Sequence, residues 1–166
     1  MERMFSPWRM DYVRRGDAGR KGGRCIFCVG ESDREDPESL VLGIYPRTVA
    51  ICNRYPYNSG HVLAAPRRHV ADLSLLSGEE LAELISLVAL GTKALSGEYG
   101  PEGFNVGMNL GKVAGAGIED HLHVHIVPRW GGDTNFMTAV QSTRVLPESL
   151  AQTHARLLPR FGPLRP

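Results

Sequence analysis

His121-Leu122-His123-Val124-His125-Ile126-Val127 is the stretch that sets both the fold and the chemistry of this 166-residue chain. In an extended strand successive side chains point to opposite faces, so His121, His123 and His125 share one face, and Leu122, Val124 and Ile126 the other. The alternation predicts a strand over residues 122–128, with core on one face and chemistry on the other. Imidazoles are costly to bury without partners, because each ring nitrogen needs a donor, an acceptor, a metal or water. One histidine on such a strand is readily a satisfied core residue. Three in line point to a site.

Working outward, β-branched and apolar residues from Leu40 to Ile44 and from Thr48 to Cys52 flank Tyr45-Pro46-Arg47 and read as a hairpin. A third strand follows from Gly60 to Ala65, ahead of Pro66, and completes a meander. Ser77-Gly78-Glu79-Glu80 has capping-box spacing, and Leu81, Leu84, Ile85, Val88 and Leu95 recur at helical intervals, which predicts a helix over 78–96 with one apolar face on the sheet. After Gly100-Pro101 comes a fourth strand over 104–109, then a loop rich in Gly and Ala from Gly111 to Gly117, then the histidine strand. Pro147 is expected to open a last helix running to about Leu158. Strands in runs, with helices segregated between them, argue for an α+β domain on an antiparallel sheet of about five strands. Residues 1–24 and the acidic stretch 31–39 read as irregular, residues 25–137 as the domain proper, and 138–166 as a C-terminal segment.

Composition narrows the function classes. A hydrophobic content of 42% in 166 residues suits one packed domain. The net charge of +1 gives no global field for nucleic acid or an anionic membrane, so phosphate must be met locally. No apolar run reaches the roughly 20 residues of a spanning helix, and Met1-Glu2-Arg3-Met4 lacks a signal-peptide core. The expectation is a cytoplasmic protein. Of the 3 cysteines, Cys25 and Cys28 stand at zinc-knuckle spacing, which in a reducing compartment fits a metal pair better than a disulfide framework. Zinc would need two further ligands; histidines are the obvious donors, and either His69 or His121 could close the site.

The Gly111–Gly117 loop lets backbone amides approach an anion, and its place directly before three histidines makes it a candidate phosphate cradle. A histidine beside such a cradle can act as nucleophile on phosphorus, splitting one hard displacement into two easier ones, while a neighbouring imidazole stabilises the phosphoryl oxygens. A non-catalytic nucleotide-binding, zinc-stabilised scaffold is the reading from another class. A pure binder, however, has no need of a nucleophile between two other imidazoles.

The triad, preceded by Asn53, by Gly60-His61-Val62-Leu63 with Pro66, and by Asn109, resembles the histidine-triad (HIT) superfamily of nucleotide hydrolases and transferases over about residues 25–130. Pro7-Trp8-Arg9-Met10, Asn53 to His61, Gly115-Ala-Gly117-Ile, and Pro128 to Trp130 with Gly132 to Met137 resemble its bacterial branch that includes diadenosine tetraphosphate phosphorylases. The resemblance implies a HIT-like fold and a covalent nucleotidyl-His123. It implies His125 as the assisting histidine at the phosphate. It also implies zinc on Cys25, Cys28, His69 and His121, with no organic cofactor. Asn53 falls where the ribose is contacted, Asn109 where a polar residue reaches the phosphates, and Gly115 with Gly117 on the loop before the triad.

A homodimer formed by joining two sheets is expected from the same resemblance. One position departs from many hydrolases of the superfamily, which carry glutamine four residues before the first histidine; here it is Gly117. The vacated volume reads as room for inorganic phosphate to attack the intermediate, giving ADP and ATP from an adenine dinucleotide tetraphosphate. Hydrolysis of dinucleoside polyphosphates or of adenosine phosphoramidates is the alternative. Trp130 and Phe136 are candidates to stack on a base or cover the site, and equally to be packing residues; Tyr55 and Tyr57 are similarly open. Arg67, Arg68 and Arg129 either steer polyphosphate or are simply solvated.

Overall fold

A computed structural model describes residues 20–21, 24–34, 36–133 and 148–164. Its strands are β1 (Arg20–Lys21), β2 (Arg24–Cys25), β3 (Val41–Ile44), β4 (Thr48–Cys52), β5 (Val62–Pro66), β6 (Gly103–Met108) and β7 (Val124–Arg129), with helices α1 (Gly78–Tyr99) and α2 (Leu150–Leu157). Strands β3 to β7 form one antiparallel sheet in the order β3-β4-β5-β7-β6. This is the expected α+β architecture. The short β1-β2 ladder is an addition, since Arg20 and Lys21 pair with Cys25 and Arg24 in a stretch that reads as irregular.

The central strands β4 and β5 are buried at every position, because apolar groups cover both faces of the sheet there. On one face α1 buries Leu84, Leu87 and Leu95 against Ala50, Val62 and Ile126. The helix can lie this close because of Gly91, where an added Cβ would come within 2.7 Å of Ile126 Cδ1. On the other face Phe27 and Ile118 cover Val49, Ile51 and Leu63. The expected division into a core face and a chemical face holds along the histidine strand and not across the whole sheet. Both faces carry core, and chemistry occupies only the β7 end of the second.

The element bounds follow local chemistry. Helix α1 starts at the capping box of Ser77 and Glu80 and runs three residues beyond its expected end, to Gly100 at φ 54°, a left-handed C-cap that suits glycine. Helix α2 does not open at Pro147, which lies outside the described residues: extended Ser149 caps it and pairs with Gln152 in a second capping box. The pairing of β7 starts at Val124, so His121, at a bend, and His123 precede the strand and only His125 lies within the ladder.

The C-terminal segment covers the outer edge of β3. His154 donates to the Val41 carbonyl at 2.9 Å and Tyr45 donates its hydroxyl to the Gly162 carbonyl at 3.1 Å. Glu148 ties the segment to α1 by accepting from Tyr99 and Thr153 and pairing with Arg156. Among the described residues no helix is long and apolar enough to cross a membrane.

Candidate active site and metal centre

The alternation read from the sequence survives the later start of β7. Leu122, Val124 and Ile126 lie in the core under α1, and the three histidines turn to the opposite face. Each histidine then meets different neighbours.

His121 is fully buried, and its Nε2 lies 2.8 Å from the Pro66 carbonyl oxygen. A carbonyl accepts only, so Nε2 carries the proton and Nδ1 presents its lone pair. That Nδ1 is 3.4 Å from Cys25 Sγ, 3.8 Å from Cys28 Sγ and 3.2 Å from His69 Nδ1, while His69 Nδ1 is 3.3 Å from Cys28 Sγ. A tetrahedral ion bonded at about 2.0–2.3 Å to nitrogen and sulfur sets its ligands roughly 3.3–3.8 Å apart. The donor set Cys25, Cys28, His69 and His121, whose ligating atoms all lie within 4.8 Å of one another, thus fits Zn2+ in type and spacing.

Two further features fit a cation. Asp120 sits 3.6 Å from His69 Nε2, where a carboxylate orients a ligating ring. Burial, and then the neighbouring Cys25, push the Cys28 thiol up to about 11, a cost that a positive charge between the sulfurs would reverse. The sequence proposed either His69 or His121 as a donor from the spacing alone. Geometry brings both.

His123 is 5% exposed, and its Nδ1 lies 2.8 Å from the His121 carbonyl oxygen. Nδ1 therefore carries the proton and Nε2 the lone pair. Burial lowers its pKa below the usual imidazole value, against the opposing hydrogen bond to His121, so the ring is neutral near pH 7.

His125 is held differently. The backbone N–H of Tyr57 donates to His61 Nδ1 at 3.0 Å, which leaves the His61 proton on Nε2 to donate to His125 Nδ1 at 2.9 Å. His125 consequently carries its own proton on Nε2 and is a donor. His61 itself is 1% exposed, and burial, then His125, then His123 lower its pKa well below the ordinary value. The 123 and 125 rings lie 5.0 Å apart and nearly edge to face, which places a neutral nitrogen lone pair beside an N–H donor.

His61 belongs to the Gly60-His61-Val62-Leu63 motif, but the sequence alone assigns it no role. It lies one residue before β5 on the same alternation as Leu63 and Ala65, and Leu63 is the register partner of His125, so the signal was strand parity. Gly60 precedes it at φ 78°, where an added Cβ would also meet Leu95 Cδ2 at 2.9 Å. Tyr57, left open by the sequence, stacks on His125 with centroids 5.9 Å apart and meets His61 at 4.8 Å with its ring tilted by 36°.

The other expected site residues are placed as follows. Asn53 is beside His61, its Nδ2 at 3.2 Å from Nδ1, and its Oδ1 accepts from the Tyr55 N–H. Asn109 is half-buried directly after β6. In the glycine loop, Gly111 and Gly115 take φ of 79° and 89°, and the amides of Gly115 and Ala116 close the loop on Lys112 and Gly111. Gly117 is half-buried next to Ile118, which packs in the Phe27 cluster. Trp130 is half-buried after β7, in a turn held by Asp133, whose carboxylate also binds Arg129 and Asn58. Arg68 is committed to Glu80 and the Leu75 carbonyl. Phe136 and the rest of the 134–147 stretch lie outside the described residues, as do Trp8 and its neighbours.

The HIT domain family model matches residues 34–132. The chain belongs to the HIT family. It is 37% identical over 162 residues to an AP-4-A phosphorylase of Mycobacterium tuberculosis, covering 95% of this chain and 83% of that one. It is also 32% identical over 126 residues to an adenosine 5'-monophosphoramidase of Schizosaccharomyces pombe, covering 76% and 90% of the two chains. A crystal structure of a Zn-bound histidine triad family protein from Mycobacterium smegmatis shares the fold, with a TM-score of 0.60 and 24% identity over 73% of this chain and 82% of that one.

Proposed function

We propose that this HIT protein is an enzyme that transfers a nucleotidyl group through a covalent bond to His123, and that its reaction is the phosphorolysis of diadenosine tetraphosphate to ADP and ATP. One observation carries the reading: the 2.8 Å hydrogen bond from His123 Nδ1 to the His121 carbonyl, which aims a neutral Nε2 lone pair outward beside His125. Nε2 attacks the α-phosphorus, and the bond to the bridging oxygen breaks with its electron pair leaving on ATP. The His125 Nε2–H donates to the phosphoryl or leaving oxygen as negative charge builds. A phosphate oxygen then attacks the adenylyl group, the P–N bond breaks with its pair returning to Nε2, and ADP departs.

Asn53 is assigned to the ribose, Asn109, Gly115 and Gly117 to the phosphates, and Trp130 to the base. Similarity to the M. tuberculosis phosphorylase over nearly the whole chain supports phosphate as acceptor, as does the missing side chain at Gly117. The likeness to a phosphoramidase supports a second reading, in which water resolves the same intermediate.

Zn2+ is assigned to Cys25, Cys28, His69 and His121. Bound there it would supply a fixed charge that holds the Cys25–Cys28 turn and the His121 ring, with no part in bond making. A homodimer is assigned to the outer edge of β6, which no other described strand pairs and where Val106 is 48% exposed on the α1 side of the sheet. Thiol ligands of this kind suit the reducing cytoplasm.

The deciding experiment incubates purified protein with diadenosine tetraphosphate, with and without inorganic phosphate. ADP plus ATP formed only with phosphate is the expected result; AMP plus ATP formed without it would replace phosphorolysis by hydrolysis. Trapping of label on wild-type protein but not on His123→Asn checks the intermediate.

A further inference from the structure

Phe27 lies inside the Cys25-x-x-Cys28 turn, has no solvent exposure, and faces two of the three histidines at once. Its ring centroid is 5.1 Å from that of His121, tilted by 51°, and 5.0 Å from that of His123, stacked at 27°. His125 meets His123 nearly edge to face at 5.0 Å and 60°, so Phe27 is the ring stacked on the nucleophile's face.

We infer that Phe27 is a positioning residue for His123: its face fixes the plane of the imidazole, so that Nδ1 stays on the His121 carbonyl and Nε2 stays turned to substrate. The inference rests on His123 being the nucleophile. A single hydrogen bond at Nδ1 leaves the ring free to rock about it. A half-turn about the Cβ–Cγ bond would exchange the two edges of the ring and take Nδ1 off its carbonyl. Either motion misplaces the attacking lone pair, and displacements of about 1 Å cost on the order of 100-fold in rate. A flat aromatic surface against the ring opposes both.

Phe27 is itself fixed. Its turn is closed by the Cys28 N–H on the Cys25 carbonyl at 3.1 Å, and its ring packs with Val49, Ile51, Leu63 and Ile118. A residue needed only to fill space there would be replaceable by an aliphatic chain of similar volume. A positioning face would not.

The test compares Phe27→Leu and Phe27→Met with Val49→Ala, which thins the same apolar cluster from β4, a strand not paired with β7. Each is measured for melting temperature, kcat and KM, and, with 15N-histidine and no nucleotide, for the tautomer of His123 at one fixed pH. Both Phe27 variants are expected to lower kcat about 10-fold or more with KM nearly unchanged, and to turn a single Nδ1–H tautomer into a mixture. Val49→Ala is expected to lower the melting temperature alone. If the Phe27 variants keep one tautomer, or lower the melting temperature with no more loss of kcat than Val49→Ala shows, Phe27 is a core residue and the inference falls. Because the spectra need no substrate, they judge the positioning role even if His123→Asn were to retain turnover and overturn the nucleotidyl-histidine reading.

Discussion

His121 and His125 stand two residues either side of His123 on one face of the sheet, yet their surroundings are opposite. Around His121 gather two sulfurs, a second imidazole and a carboxylate within reach of His69. Around His125 there is a neutral chain of donors that begins at a backbone amide and passes through His61. In the first region a proton on Nε2 leaves Nδ1 as a lone pair for a cation; in the second a lone pair on Nδ1 leaves Nε2 as a donor for an anion. Residue type is the same throughout, and the second ring nitrogen's partner decides the role. Partners supplied by β5 and its flanks, Pro66 on one side and His61 on the other, therefore sort the triad.

The relay side is the place where one substitution should cost most. His61→Phe fills the volume with an apolar ring but removes the donor to His125 Nδ1, so the proton on His125 is no longer directed to Nε2. We expect kcat to fall about 10- to 100-fold, with a modest fall in melting temperature, because the Tyr57 N–H and His125 Nδ1 lose their buried partner. Steady-state kinetics beside thermal melts check this. A variant with wild-type kcat would mean that the tautomer of His125 does not depend on His61.

The metal side should answer in the other currency, stability. Removing a bound ion present at about 1,000 times its Kd forfeits about 4 kcal/mol, which for a chain of this size lowers the melting temperature by roughly 10 °C. Cys28→Ser is expected to produce the same drop and to abolish the response to chelator, while shifting kcat less than His61→Phe does. Differential scanning calorimetry with and without chelator, alongside metal analysis, separates the two regions. A metal content near zero in protein purified without added metal would remove the centre.

How far the sequence reaches differs between these regions for a physical reason. The cluster of Cys25, Cys28, His69 and His121 was legible because Cys25 and Cys28 carry their spacing in the chain and because sulfur and imidazole donors are few. The five main strands and α1 were legible from apolar runs bounded by turns, from the parity of the histidine stretch and from the Ser77-Glu80 box, since local chemistry sets all three. The relay was not legible as a relay. Nothing local says that β5 pairs with β7 in the register that lays Leu63 opposite His125, and only that pairing brings His61 to its partner. Phe27 was hidden likewise, since a phenylalanine between two cysteines reads as filler until its ring is seen against His123. The cover that the second face of the sheet receives from Phe27 and Ile118 depends on loops whose path composition does not encode.

The smallest expected effect sharpens the comparison through pH. His61 is neutral when folded because its pKa lies well below 6.5, the value it regains on unfolding. Between those two values the unfolded chain binds a proton that the folded chain does not, so folding stability rises with pH across the window and is complete above about 6.5. As pH falls through 6.5 that stability is lost, at no more than about 1.4 kcal/mol per pH unit for this one group. Carboxylates held low by their partners, such as Glu80 at about 2 beside Arg68, weaken the fold only below their usual range near 4.5 and so leave the upper window to histidine. We therefore expect wild-type protein to melt a few degrees lower at pH 5.5 than at pH 7.5, and His61→Phe to show a shallower decline over the same interval. The comparison is best made in metal-free protein, where loss of ligand affinity at low pH adds nothing to the slope. Equal slopes in the two proteins would place the proton-linked instability on the metal side of His123 rather than on the relay.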